Sequence, residues 1–335
     1  MRNPDDTPPP NPDAEARKPP PRVTLGVLPR ERFSLMATVL RRVLECTEIN
    51  FRLIVVDCGM PSVYRREIDE VLARFEDVEV IHEDGWLLPN ECRRLVAAAS
   101  RTELTCFLEN DVLVSPGWLT ALVGALDATG AGVAAPLVME GEESQHHGVA
   151  NGARFEFMAR ADGTELVCRA IGDGSVRDGL VGPQLVEVVE AHCMLFRTEV
   201  FSTVDAFDPF LNTREFIDTC LALRKAGIGV VLQPQSRVTF MPPPPVLPDE
   251  RPYYLYKWNQ SLAEGSHQRI REKWGLVDFP SSLEFAAERR HRLSRGLLWR
   301  YRLTRQVLRV PRRARRLGTE IRQLAGLGGQ AGGAS

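Results

Sequence analysis

Three short apolar runs constrain this chain more than any other feature: VTLGVLP at residues 23–29, FRLIVVDCG at 51–59 and LTCFLEN at 104–110. Each is too short for a globular helix and shows no strict alternation, the pattern of a strand covered on both faces. Between and after them lie segments with apolar residues at three- and four-residue steps. LMATVLRRVLECT (35–47), residues 63–75, NECRRLVAAAS (90–100) and PGWLTALVGALDA (116–128) read as helices, and VEVIH (78–82) as a further strand. Ser34 is the predicted cap of the first helix. Strands alternating with helices predict an α/β fold, a mainly parallel sheet flanked by helices. Right-handed crossovers then bring the strands' carboxyl ends to one rim, where such sheets bind ligands.

Pro29-Arg30-Glu31, Asp57 and Glu109-Asn110-Asp111 all fall at that rim. Two acids beside a buried strand are costly unless they are solvated, paired or bound to a cation. A polar turn meets the first condition and a metal site the last. No GxGxxG follows the first strand and no GxxxxGK[ST] occurs anywhere, which argues against a dinucleotide fold and a P-loop hydrolase. An acidic rim repels a diphosphate directly. It can hold one through Mg²⁺ or Mn²⁺, which take one or two carboxylates together with phosphate oxygens.

The 335 residues are 44% hydrophobic and 26% charged, an ordinary globular composition. Seven cysteines are scattered without a CxxC pair, which argues against zinc and disulfide frameworks and for a reducing cytosol. No apolar run reaches eighteen residues, and the N-terminus lacks the apolar core of a signal peptide. The net charge of −2 conceals an asymmetry: from Arg289 onward there are thirteen arginines and one acid, Glu320. Four parts are expected. Residues 1–22, with eight prolines, form a disordered tail; 23–245 form the main α/β domain, with 141–186 as an insertion or lid; 246–288 are an extension whose aromatics pack on the core; 289–335 are a basic amphipathic helical tail. Such a tail reads as docking on an anionic membrane surface. Nucleic acid is a weaker reading, and docking on the acidic body of the chain a third.

Four segments, in order, resemble a known group. LIVVDCG resembles a strand ending in an aspartate, here Asp57, that contacts a nucleotide base. CRRLVAAASRTELTCFLEND matches without a gap a helix followed by the strand of a DxD metal motif. AHCMLFRTEVFSTVDAFDPFL is similar to an acceptor-side segment, and REFIDTCLALRKAG to the segment that supplies a catalytic base. The group is the inverting glycosyltransferases of family 2, with the GT-A fold, and the resemblance covers roughly residues 23–240. It implies a metal-dependent enzyme that moves a sugar from a nucleoside-diphosphate donor to an acceptor hydroxyl. On that basis Glu109 and Asp111 hold Mn²⁺ or Mg²⁺. Pro29, Arg30, Glu31, Asp57, Arg94 and Asn110 face the donor, and His192 faces the acceptor. Glu215 or Asp218 is the base.

Each assignment has a plainer alternative. Asp57 suits a turn cap, Arg30 and Glu31 an ordinary surface pair, and His192 a satisfied core histidine. Glu215 and Asp218 stand three apart at a predicted helix start, on one face, where acids also complement the helix dipole; Glu215 is the preferred base. The adjacent His146 and His147 cannot point the same way on a strand and are not read as a metal site. The chain also departs from the family pattern. Glu109 replaces the usual first aspartate, Arg94 a common asparagine, and Phe216 the usual base aspartate. RVTFMPP lacks the metal-binding histidine often found there. Two other functions stay open: a nucleotidyltransferase, although PRERFS lacks the glycines it needs, and a non-catalytic sugar-binding or scaffold protein. The tail favours a cell-envelope glycan or lipid-linked acceptor and a cytoplasmic protein peripheral on the inner membrane face.

Overall fold

A computed structural model of the chain describes residues 19–141, 147–149, 152–171, 182–241, 246–280 and 283–291. The proline-rich tail up to residue 18, His146, the prolines at 242–245 and the basic tail beyond residue 291 lie outside the described residues. Contacts divide the chain into two compact units, residues 1–287 and 288–335. Of the second, residues 288–291 are described, as helix.

The first unit opens with strict alternation: β1 (Val23–Leu28), α1 (Met36–Cys46), β2 (Phe51–Cys58), α2 (Ser62–Leu72), β3 (Val78–Glu83), α3 (Pro89–Ala99) and β4 (Leu104–Glu109). β1 lies between β2 and β4, parallel to both, and β3 extends the sheet beside β2. Every residue of β1 and β4 is buried, which is why their sequences show no alternation. Gly26 sits mid-strand because a Cβ there would come 2.5 Å from Val96 of α3. The missing side chain lets α3 lie close on β1.

After β4 the pattern changes. β5 (Val112–Val114), α4 (Trp118–Thr129), β6 (Val133–Glu140), β7 (His147–Val149), β8 (Ala153–Arg160), β9 (Gly163–Ala170), β10 (Gln184–Val186) and β11 (Cys193–Arg197) follow. Then come α5 (Val200–Thr203), α6 (Glu215–Lys225) and β12 (Val230–Phe240). The large sheet runs β10-β12-β6-β11-β4-β1-β2-β3, with β5 on β12 and β7 on β6. β11 is antiparallel to both β4 and β6, while β12 is parallel to β6. One flank of the sheet is therefore all parallel and the other mixed. This places the start of β11 at the rim where β4 ends: Cys193 is opposite Leu108, and the Glu109 N–H donates to the His192 carbonyl at 3.1 Å.

The β8–β9 hairpin joins β13 (Leu276–Asp278) in a separate three-stranded sheet. α7 (Arg251–Lys257) and α8 (Gln260–Trp274) lie between β12 and β13 in the chain. Asn259 caps α8 by accepting the N–H groups of Ser261 and Leu262, and Gly275, at φ 63°, ends it. Tyr253, Tyr254 and Trp258 are buried, and the Tyr253 hydroxyl donates to the Leu87 carbonyl. Ser34 does not cap α1. A 3-10 turn precedes that helix, and the Ser34 N–H donates instead to the Glu250 carboxylate at 2.8 Å. The orphan donor of the helix start thus finds an acceptor more than two hundred residues away. All seven cysteines are free thiols. Among the described residues no helix is long and apolar enough to cross a membrane.

Candidate functional site

The carboxyl ends of β1 and β4 meet in a buried, charged corner. Asn110 is its clip: its side-chain oxygen accepts the Arg30 N–H at 2.8 Å, its amide donates to the Arg32 carbonyl at 2.9 Å, and its own N–H donates to Leu28. Glu109 and Asp111 flank this clip, both buried. Three arginines face them. The Arg30 guanidinium pairs with Glu109, Arg32 Nη2 lies 3.0 Å from Asp111 Oδ2, and Arg93 Nη2 lies 3.2 Å from Glu109 Oε1. Glu31 is buried against Arg30 at 3.2 Å, so the pair is not a surface one, and Pro29 is buried as well.

His192 completes the corner. Its Nδ1 lies 2.8 Å from Glu109 Oε2, its Nε2 lies 3.2 Å from Glu190, and its ring stacks on Phe240 at 4.5 Å. Donor atoms of Glu109, Asp111 and His192 lie within 4.8 Å of one another. Asp111 Oδ1 is buried and has no hydrogen-bond partner among the described residues. An orphaned, solvent-free carboxylate oxygen beside a second carboxylate and an imidazole fits a divalent cation. The nitrogen donor suits a first-row transition metal better than Mg²⁺, which prefers oxygen. His192, expected on the acceptor side, lies in the same corner as Glu109 and Asp111.

The electrostatics follow from the burial. Burial pushes the Glu109 carboxyl up, but Arg30, His192 and Arg93 outweigh it and hold Glu109 below the usual carboxylate range. For Asp111 burial prevails over Arg30 and Arg32, and neighbouring Glu109 adds to it, so its carboxyl is raised. Burial lowers the His192 imidazole, yet hydrogen bonds to Glu109 and Glu190 raise it to about 10. A metal held by His192 would take the place of one of the imidazole protons.

Arg93 links this corner to the candidate base. Its Nη1 donates to Asn90 at 2.9 Å and to Glu215 Oε1 at 3.3 Å, while Nη2 reaches Glu109. Arg94, the expected donor contact, points away and pairs with Asp205 at 2.8 Å on the surface. Helical phase separates the two. Pro89, Cys92, Arg93 and Val96 form the buried stripe of α3, and Arg94 lies outside it. That stripe is visible in the sequence and would have selected Arg93. Arg32 and Glu190 had no such local signal.

Glu215 and Asp218 share the first turn of α6 but have different neighbours. Glu215 reaches Arg93, whereas Asp218 accepts from the Trp274 indole at 2.7 Å and from Lys273 at 2.8 Å. Burial raises the Asp218 carboxyl and those two donors offset part of that. Only Glu215 is joined to the corner. It follows Arg214, which at φ 58° is the one non-glycine residue with positive φ among those described. Strain of this kind persists where surrounding structure enforces it.

Asp57 lies further along the rim. It accepts the Met60 N–H at 3.0 Å, pairs with Arg65 at 2.7 Å and lies 3.1 Å from His82. The turn after it needs Gly59 at φ 73°, where a Cβ would meet Trp86 at 2.8 Å. Trp86, an exposed aromatic in the segment between β3 and α3, packs against that turn beside Tyr253 and Tyr256. A cleft of about 190 Å³ opens between the hairpin and α6, lined by Cys168, Glu190, Arg214 and Phe216 among others.

Comparison with known proteins agrees with this geometry. The family model described as "Glycosyl transferase family 2" matches residues 30–204. The pre-mycofactocin glycosyltransferase of Mycobacterium tuberculosis is 30% identical over 206 residues, which are 60% of this chain and 40% of the relative. The chain thus matches less than half the length of that relative. Among solved structures, GalNAc-T7 with UDP, GalNAc and Mn²⁺ superposes with a TM-score of 0.53 at 16% identity, over 76% of this chain and 55% of that one. S. aureus TarS 1–349 in complex with UDP-GlcNAc gives 0.49 at 11% identity, over 82% and 71%. The first of these likenesses shows the GT-A fold. With the family model spanning more than half of the residues and the acid-x-acid corner at the end of β4, the chain belongs to glycosyl transferase family 2.

Proposed function

We propose that this enzyme transfers a sugar, with inversion, from a nucleoside-diphosphate donor to an acceptor hydroxyl, with a divalent cation held by Glu109, Asp111 and His192. The buried Asp111 Oδ1, without a hydrogen-bond partner among the described residues, on a carboxylate within reach of Glu109 and His192, carries the reading. When bound, the cation offsets the negative charge that builds on the departing diphosphate. The chain's own residues do the remainder. Glu190 orients His192 by holding Nε2–H, which leaves Nδ1 toward the corner. Arg93 fixes one oxygen of Glu215 and leaves the other to take the acceptor's proton as general base. Arg30, at the end of β1, offers a guanidinium to phosphate oxygens. Asp57 and Trp86 form the base-side wall of the donor site. Asp218 ties α6 to α8 and so positions Glu215.

The acceptor enters through the cleft between the β8–β9 hairpin and α6. The basic tail supports a membrane-facing protein and a cell-envelope glycan or lipid-linked acceptor. A pre-mycofactocin-like acceptor is the second reading, supported by the 30% identical relative. Retention of the protein on anionic vesicles at low salt, lost on deleting residues 292–335, tests the first. For the reaction itself, a panel of UDP- and GDP-sugars with Mn²⁺, Mg²⁺ or EDTA is decisive. Nucleotide binding and turnover should require metal and should vanish in Asp111→Asn. Equally tight binding and equal turnover in EDTA would refute the proposal.

A further inference from the structure

We propose that Arg30 is a built-in cation that holds the divalent ion's place in the donor-free enzyme and gives that place up when the ion binds; this rests on the metal reading above. Arg30 touches every group of the candidate ligand set. Its guanidinium pairs with Glu109, approaches Asp111 Oδ2 to 4.0 Å and lies 3.2 Å from His192 Nδ1. The donor atoms of those three residues span less than 4.8 Å. A guanidinium and a divalent ion cannot both sit among them, because two cations there would repel at contact distance with little solvent to screen them.

The other two arginines do not compete. Arg93 takes the far oxygen of Glu109, Oε1, and is buried with further bonds to Asn90, Glu215 and the Ala191 carbonyl. Arg32 takes Asp111 Oδ2 and the Met241 carbonyl, and is equally buried. Arg30 alone shares Glu109 Oε2 with His192, and its side chain is 17% exposed against 1% for Arg32 and 2% for Arg93. Its backbone is held by Asn110, so the side chain can leave without moving the strand end. Phe240 lies under the guanidinium at 5.9 Å, a face along which it can slide toward the open rim. There it meets the phosphate oxygens of the arriving donor, a partner that suits its planar fork. The protein's own charge in this way weakens metal binding until a nucleotide is present.

Mn²⁺ titration of the nucleotide-free protein, read by the electron paramagnetic resonance of free Mn²⁺, tests this. Arg30→Ala and the longer neutral Arg30→Gln, each checked by thermal melting, should bind Mn²⁺ more tightly than wild type, by on the order of tenfold or more. Arg30→Lys, which keeps the charge, should stay near wild type. Adding UDP or GDP should tighten Mn²⁺ binding to wild type more than to either neutral variant. Equal or weaker Mn²⁺ binding by both neutral variants, with wild type binding the ion, would overturn the role of Arg30 alone. No Mn²⁺ binding by any of these proteins, with or without nucleotide, would overturn the metal reading together with it.

Discussion

β1 and β4 lie side by side and carry arginine–carboxylate clusters at both ends. At the amino ends Arg22 meets Glu103 at 2.8 Å and Asp127 at 3.0 Å, with all three side chains close to half exposed. At the carboxyl ends Arg30, Arg32 and Arg93 meet Glu31, Glu109 and Asp111, almost all of them buried. The chemistry is the same and the solvent is not. An exposed pair contributes about 0–1 kcal/mol. A buried ion loses several kcal/mol of hydration, which its partners offset only when geometry and further hydrogen bonds are good. One cluster is ordinary surface, the other a costly structure at the end of the sheet where ligands bind. Perturbed, desolvated charge in such a place is the physical mark of a functional site.

The comparison can be broken most forcefully at Glu215. Glu215→Gln should lower turnover by about 10²–10⁴-fold while the melting temperature and donor binding stay near wild type. Asp218→Asn should do the reverse, with turnover within a few-fold and a stability loss of about 1–3 kcal/mol from its buried bonds to Lys273 and Trp274. Equal, small effects on turnover would mean that neither acid is the base. Next in size is Arg93→Ala, which takes from Glu215 its buried arginine and from Glu109 one of its three cationic partners. Urea unfolding should show a loss of about 3–5 kcal/mol. The matching change at the other end, Arg22→Ala, should cost no more than about 1 kcal/mol. Similar losses at the two ends would erase the distinction drawn between them.

A pH series sharpens the same contrast. His192 is raised to about 10, above its ordinary 6.5. A raised imidazole contributes stability that is complete below about pH 6.5 and is lost as pH rises through its folded value. The melting temperature of the metal-free protein should therefore fall between pH 7 and 10. His192→Gln should flatten that fall. A curve identical to wild type would remove His192 from the corner's charge balance.

Much of the parallel flank was legible in the sequence, because β1, β2 and β4 are buried on both faces and show it as unbroken apolar runs. Their ends put Arg30, Asp57, Glu109 and Asp111 on one rim by topology alone. Three features were not legible. The apolar pattern of β11 carries no information about strand direction, and only its antiparallel course brings His192 beside Glu109. The choice between Arg93 and Arg94 turns on one step of helical phase, which Cys92 and Val96 reveal only when the stripe is read before the motif. The separation of Glu215 from Asp218 depends on α8, whose Lys273 and Trp274 lie more than fifty residues downstream. Local pattern specifies elements; partners from distant elements specify what each charged side chain is for.

The most direct test of the central claim is anomalous diffraction at the manganese edge from a crystal grown with Mn²⁺ and UDP. A single strong peak at bonding distance from Glu109, Asp111 and His192, with the Arg30 side chain withdrawn toward the nucleotide, is the expected result. A nucleotide seated at the rim with no peak there, and Arg30 still paired to Glu109, would contradict it.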